Sequence, residues 1–201
     1  MKELFLKGGI VMYPLLLLSI VGLAVIFERL IYFFTVEKCD YDKLKDELVG
    51  FIKREDINGA IAACGRYNNS VSKVLESVIQ SYANGEDSST MEERVRETAL
   101  GQTQAVERYM WLLGMTVNLA PLMGLLGTVI GMIKALSTIS VEGVTKESMA
   151  MGISEALINT AMGLIIAIPA LIFYSYLNKK IDIILNEIEK TSVEFINALG
   201  R

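Results

Sequence analysis

ALINTAMGLIIAIPALIFYSYL, running from Ala156 to Leu177, contains no Asp, Glu, Lys or Arg. About 20 apolar residues in a helix cross the hydrocarbon core of a bilayer, so this stretch is long enough to span one. A second uncharged stretch runs from Trp111 to Ile133. A third runs from Ile10 to Ile26 and continues past Glu28-Arg29 through Leu30–Phe34. The fold class expected is therefore all-α: an integral membrane protein with three transmembrane helices.

Composition agrees. Of 201 residues, 52% are hydrophobic, and the 21% that are charged cluster outside these stretches. There is no histidine, which removes the commonest general base and metal ligand. Cys39 and Cys64 have no metal-ligand spacing and read as free thiols of a reducing compartment. With no nucleophile–base pair, metal cluster or phosphate loop in the pattern, neither an enzyme, a cofactor nor a metal site is expected. The net charge of −4 gives no reason to expect nucleic acid. The first span is too long for a signal-peptide core, and no small-residue cleavage site precedes Glu28, so it is expected to be retained.

The division expected is 1–36 for the N-terminus and first span, 37–110 for a cytoplasmic helical segment and 111–138 for the second span. A short periplasmic loop (139–154), the third span (155–177) and a cytoplasmic amphipathic helix (178–201) follow. Orientation follows from Lys and Arg near the membrane ends. Lys38, Lys43, Lys45, Arg96, Arg108, Lys179 and Lys180 lie on one side, against Lys2, Lys7 and Lys146 on the other. The positive-inside rule places the first group in the cytoplasm and the N-terminus in the periplasm.

Segment 37–110 carries apolar residues at helical spacing, Leu44, Leu48, Phe51 and Ile52, then Val71, Val74, Leu75, Val78 and Ile79, with a break at Asn84-Gly85. Ser89-Thr90-Met91-Glu92 is a candidate capping box. The stripe Met91, Val95, Ala99, Val106, Met110, Leu113 predicts a helix running unbroken into the second span. No Gly or Pro separates Leu177 from Ala198, so the third span and the tail are expected to be one helix of about 45 residues, roughly 65 Å long. The tail's apolar face, Ile181, Ile184, Leu185, Ile188, Phe195 and Leu199, suits assembly with other copies; packing within one subunit is the alternative.

Small or special residues recur in the second span at Pro121, Gly124, Thr128, Gly131, Ala135 and Thr138, broadened by Gly127. In the third they recur at Ala156, Thr160, Gly163, Ala167 and Ala170. Each set marks one helix face. Such faces let backbones approach closely in lipid, where hydrophobic burial does not drive helices together. The first span lacks such a run. Its Leu15–Leu18, Ile20, Val21, Leu23, Val25 and Ile26 read as lipid-facing, which makes it the outer layer.

Thr128 and Thr160 put one hydroxyl in each small stripe. Each either bonds the carbonyl one turn back and does no more, or lines a polar path. Glu155 sits one turn before Asn159 at the start of the third span. A carboxyl there is a functional candidate, or a surface group favoured by the helix N-terminus. Lys134 is expected to snorkel to the interface. No carboxylate lies inside the second span or in the third after Glu155. A proton path through this chain alone lacks a mid-membrane carrier, so a partner would have to supply one.

These residues resemble a known family. Leu125-Leu126-Gly127-Thr128-Val129-Ile130-Gly131 is similar to the GLxGTVxG pattern in the second span of the MotA/TolQ/ExbB proton channel family. Glu155–Leu164, followed by Ala167-Ile168-Pro169-Ala170, resembles its EALxxTAxGLxxAIPA pattern. Met12-Tyr13-Pro14-Leu15 and Glu28-Arg29-Leu30 resemble its first span. The resemblance implies a homopentamer in the bacterial inner membrane around single-span ExbD/TolR-like partners that carry a membrane aspartate. It implies a proton-motive-force-driven motor subunit that energises outer-membrane transport or envelope processes, with a TonB- or TolA-like protein as a further partner. Three spans favour the ExbB/TolQ branch over a flagellar-type stator. By match, Thr128 and Thr160 line the pore and Glu155 sits at its outer mouth, with Asn159 as a polar neighbour. Gly124, Gly127, Gly131, Gly163 and Ala167 would serve tight helix packing. The competing reading is a passive membrane scaffold whose small stripes only pack helices.

Overall fold

The computed structural model describes residues 8–37, 40–137 and 146–199. Thr138, Cys39 and the loop residues 139–145 lie outside the described residues. A 3-10 turn, Gly9–Val11, leads into α1 (Met12–Thr35). There follow α2 (Tyr41–Ile52), α3 (Ile57–Tyr67), α4 (Ser70–Ala83), α5 (Ser88–Val106), α6 (Met110–Ser137) and α7 (Lys146–Leu199). The described residues contain no strand. Three helices, within Gly9–Thr35, Met110–Ser137 and Met149–Leu199, are long and apolar enough to cross a membrane, with mean hydropathies of 2.6, 1.8 and 2.2. The chain is all-α, with three membrane-spanning helices.

Two compact units divide the chain: Met1–Glu28 with Tyr109–Tyr176, and Arg29–Arg108 with Leu177–Arg201. In the first, Val11, Met12 and Leu15 bury against Ala120 of α6 and Ala167 of α7, with Leu18, Met123, Ile130, Met162 and Ile166 packed around them. Leu15, Val25 and Ile26 were expected to face lipid but are buried, whereas Leu16, Leu17, Ile20 and Leu23 are exposed. A helix touching its neighbours along one stripe buries every third or fourth residue; Met12, Leu15 and Gly22, whose Cα faces Thr116, form that stripe.

In the second unit, side chains start each short helix by accepting the free N–H groups of its first turn. Asp56 accepts from Gly59 N–H at 2.8 Å. Asn69 and Ser72 form a reciprocal box before α4. Asp87 accepts from Thr90 N–H at 3.2 Å and so starts α5, which moves the cap upstream of the expected Ser89 box. α4 ends at Ala83, with Gly85 in the left-handed region (φ +73°) that glycine tolerates.

The helix expected to run from Met91 into the second span is broken. α5 stops at Val106, and Tyr109 takes φ +65° before α6 begins. The last carbonyls of a helix need partners. Here the buried Arg29 guanidinium supplies them, donating to Ala105 O at 3.1 Å and Val106 O at 3.2 Å while lying 4.6 Å from the centre of the Tyr32 ring. Glu37 does the complementary service at the N-terminus of α4. It accepts from the Ser70 hydroxyl at 2.6 Å, the Ser70 N–H at 3.3 Å and the Tyr32 hydroxyl at 3.1 Å. A cation at one helix C-terminus and an anion at another helix N-terminus both oppose the local dipole charge.

α7 is continuous, as expected, but longer, at 54 residues or about 80 Å. It begins ahead of Glu155, taking in 146–154. Ile181, Ile184, Ile188, Phe195 and Ile196 of its tail are buried within the single chain, and Lys45 pairs with Glu194. That face packs inside the subunit instead of remaining open for other copies.

Candidate functional site

α6 and α7 approach along small residues. A Cβ on Gly124 would lie 3.0 Å from Asn159 O and 3.1 Å from Thr160 Cα; one on Gly163 would lie 2.6 Å from Ala120 O. Gly131 meets Ala156 and Gly152, and Gly152 meets Ala135. These are backbone contacts that no side chain larger than hydrogen permits. The five packing residues expected from sequence, Gly124, Gly127, Gly131, Gly163 and Ala167, are all buried.

The centre of the packed face is displaced from the expected stripe. Ala120, Gly124, Gly127, Gly131 and Ala135 are buried on α6, facing Gly152, Ala156, Asn159 and Gly163 on α7. Thr128 and Thr160 are half-buried and stand at its rim. Their hydroxyls behave differently. Thr128 donates to Leu125 O in its own preceding turn at 2.6 Å, as a membrane threonine commonly does. Thr160 donates across to Gly124 O of α6 at 3.2 Å, tying the two helices beside the Gly124–Gly163 contact.

Glu155 is not at a helix N-terminus. α7 starts at Lys146, and the dipole effect fades within the first turn, so the helix end does not account for this carboxylate. Instead Lys134 Nζ donates to Glu155 Oε1 at 2.6 Å, with the Glu155 side chain 18% exposed and that of Lys134 51%. The expected snorkelling lysine is an ion-pair partner reaching from α6 to α7. Gly9, with φ +68°, lies against this pair: a Cβ there would strike Glu155 Oε1 and sit 3.5 Å from Lys134 Nζ. Sequence reasoning gave Gly8 and Gly9 no role. Their doublet ahead of an apolar run was the available signal.

Asn159, one turn beyond Glu155, is 1% exposed, and neither its Oδ1 nor its Nδ2 has a hydrogen-bond partner among the described residues. Gly127 makes room for it, since a Cβ on Gly127 would overlap the Asn159 side chain. No group of His, Cys, Asp and Glu among the described residues could hold a metal ion.

One polar file on α7 (Glu155, Asn159, Thr160) thus lies against a close-packed α6, in a protein with three apolar spans. The sequence model of the MotA/TolQ/ExbB proton channel family matches residues 66–190, more than half of the chain. The chain belongs to the MotA/TolQ/ExbB proton channel family. It is similar to a putative biopolymer transport protein ExbB homolog of Methanothermobacter thermautotrophicus, 27% identical over 93% of this chain and 66% of that protein. Against a putative biopolymer transport protein ExbB-like 1 of Synechocystis it is 32% identical over 86% of this chain and 68% of that protein. Against the biopolymer transport protein ExbB of Salmonella typhimurium it is 30% identical over 85% and 72%. The Tol-Pal system protein TolQ of Haemophilus influenzae is 34% identical over 50% of this chain and 44% of its own length. The chain spans about two thirds of the length of the ExbB-named relatives it matches over most of its own length.

Proposed function

We propose that this protein is the channel-forming stator subunit of a proton-motive-force-driven motor in the bacterial inner membrane, of the ExbB/TolQ type. In this reading it is a homopentamer around an ExbD/TolR-like single-span partner and energises outer-membrane transport or an envelope process. The observation that carries the reading is the half-buried Glu155, paired to Lys134 at 2.6 Å at one end of the polar file on α7. A carboxylate within a spanning helix is costly and marks an ion path by default. The second span and the rest of the third carry no acidic residue, and Glu28 lies toward the cytoplasmic end of the first, so in this reading the proton carrier at mid-membrane is the partner's aspartate. Thr128 and Thr160 line the path beside it, and Glu155 stands at its periplasmic mouth. The Lys and Arg bias near the membrane ends supports a periplasmic N-terminus and a cytoplasmic C-terminus. One charge crossing about 100 mV releases about 2.3 kcal/mol, so mechanical work draws on several protons per step.

The test is proton uptake into liposomes by the chain co-purified with its single-span partner. Thr160→Val, which keeps the shape and removes the hydroxyl, should reduce flux strongly, and Thr160→Ser should restore it. Full flux in both Thr160→Val and Thr128→Val would sink the pore role. The second reading, a passive scaffold, is favoured by Thr128, whose hydroxyl is spent on its own helix. It expects both valine variants to be harmless while Gly163→Leu abolishes assembly.

A further inference from the structure

Lys134 is the only charged residue between Trp111 and Ser137, and the function proposed above gives it no task of its own. The fold sets it on the carboxylate of the next span. Its Nζ donates to Glu155 Oε1 at 2.6 Å, with the Lys134 side chain 51% exposed and that of Glu155 18%. The Gly9–Val11 turn closes on the same oxygen. A Cβ on Gly9 would strike Glu155 Oε1, lie 3.0 Å from its Cδ and 3.5 Å from Lys134 Nζ. An ammonium and a stretch of backbone therefore crowd this side of the carboxylate. Neighbouring charges do not tip the balance. Residues 1–9 and 138–154 carry Lys2, Lys7 and Lys146 against Glu3, Glu142 and Glu147, three side chains of each sign. The pair itself decides whether this end of the α6–α7 interface presents a bare anion or a neutralised one.

A proton and a metal cation meet such a pair differently. Rings of bare carboxylates draw cations into channels, and fixed cations repel them. Na+ binds a carboxylate through charge, and here it would have to displace an ammonium already in contact. A proton instead forms an O–H bond to the carboxylate. That uncharges Glu155 and releases Lys134, whose half-exposed ammonium is compact and strongly hydrated. Loss of the proton along the path restores the pair. We propose that Lys134 is a specificity-determining residue: by pairing with Glu155 it keeps metal cations off the carboxylate, so that the path takes H+ and not Na+. Its part in selectivity rests on the proton-channel reading; the exclusion of Na+ from Glu155 does not.

Proton flux into liposomes bearing the chain and its single-span partner is measured in NaCl and in N-methylglucamine chloride of equal strength. The two salts screen charge alike, but the organic cation is too large to sit on the carboxylate. Wild-type flux should be the same in both. Lys134→Gln leaves Glu155 bare, and half-inhibition by NaCl should then fall at salt about tenfold lower than in wild type, the low end of the enrichment that focused charge gives a counter-ion. Lys134→Arg, which keeps the charge, should behave as wild type. A merely structural role for Lys134 would change flux equally in the two salts. Flux through Lys134→Gln as indifferent to Na+ as wild type overturns the proposal. The second readout needs neither flux nor partner: consumption of Glu155 by a carbodiimide in the full chain, counted by mass spectrometry as label or as an amide to Lys134. NaCl should not slow it in wild type and should slow it severalfold in Lys134→Gln. Protection of wild-type Glu155 by Na+ overturns the proposal even if no variant assembles. A wild-type complex that conducts no protons, while Na+ protects Glu155 only in Lys134→Gln, sinks the proposed function and upholds the exclusion of Na+.

Discussion

Burial sets the chemistry of Cys64 on α3. The side chain is 1% exposed, and loss of solvation pushes its thiol from 9.0 up to about 12. Between those values the folded chain keeps a proton that the unfolded chain has lost, so stability is full below pH 9 and declines as pH rises toward 12. Alkylation by iodoacetamide at pH 9 should be slow in the folded protein and rapid once urea exposes the thiol; equal rates would contradict the buried placement. Such a shift is invisible in sequence, where Cys64 was simply a thiol without metal-ligand neighbours. Glu155 was legible, because a charge beside an apolar run stands out. Its partner was not: Lys134 is 21 residues away across a loop, and only the helix pairing brings the two together. Asn159 was noticed as polar, but its burial is a property of the α6–α7 approach and has no local signature.

Elements were read more securely than their ends. Hydropathy identified three spans, and the uninterrupted sequence after Leu177 identified the continuity of α7. The break between α5 and α6 escaped because neither Gly nor Pro marks it; a long-range partner, Arg29, takes the carbonyls at the end of α5. Arg29→Met should therefore cost more than an ordinary surface change. Hydrogen bonds to a charged donor contribute about 1.5–3 kcal/mol, and thermal unfolding should register a loss of that order. A variant as stable as wild type would mean that the cap is dispensable. The glycines separate just as cleanly. Gly163→Leu would drive a side chain into Ala120 O and the Gly124 backbone, and should prevent α6 and α7 from pairing. Gly101, with open space around its Cα, is a helix-interior glycine whose change to Ala should stabilise α5 by about 0.5–1 kcal/mol. Similar responses to the two changes would remove the case for close approach.

At the scale of the whole molecule, most of the apolar surface of the spans is unused by one chain: about a third or less of each apolar window is buried. Lipid accounts for exposed apolar residues on any span, so exposure alone does not distinguish lipid from neighbouring subunits. The close α6–α7 pairing does separate the spans. On α6, Leu122, Leu125, Val129 and Ile133 form one exposed file at helical spacing; on α7, Leu157, Leu164, Ile168 and Ile172 form another. If those two helices make the inner layer of a ring, as proposed, these files meet the next copy, and Leu17 and Ile20 of α1 meet lipid. Single cysteines placed in a background with Cys39 and Cys64 replaced by alanine decide between the arrangements. After oxidation in native membranes, Leu125→Cys combined with Ile168→Cys should give a ladder of linked subunits up to five on a non-reducing gel. Leu17→Cys combined with Ile20→Cys should stay monomeric. Equal ladders from both pairs would place α1 at the subunit contacts and overturn the inner-layer assignment. A ladder ending short of five would keep the layer and correct the pentamer.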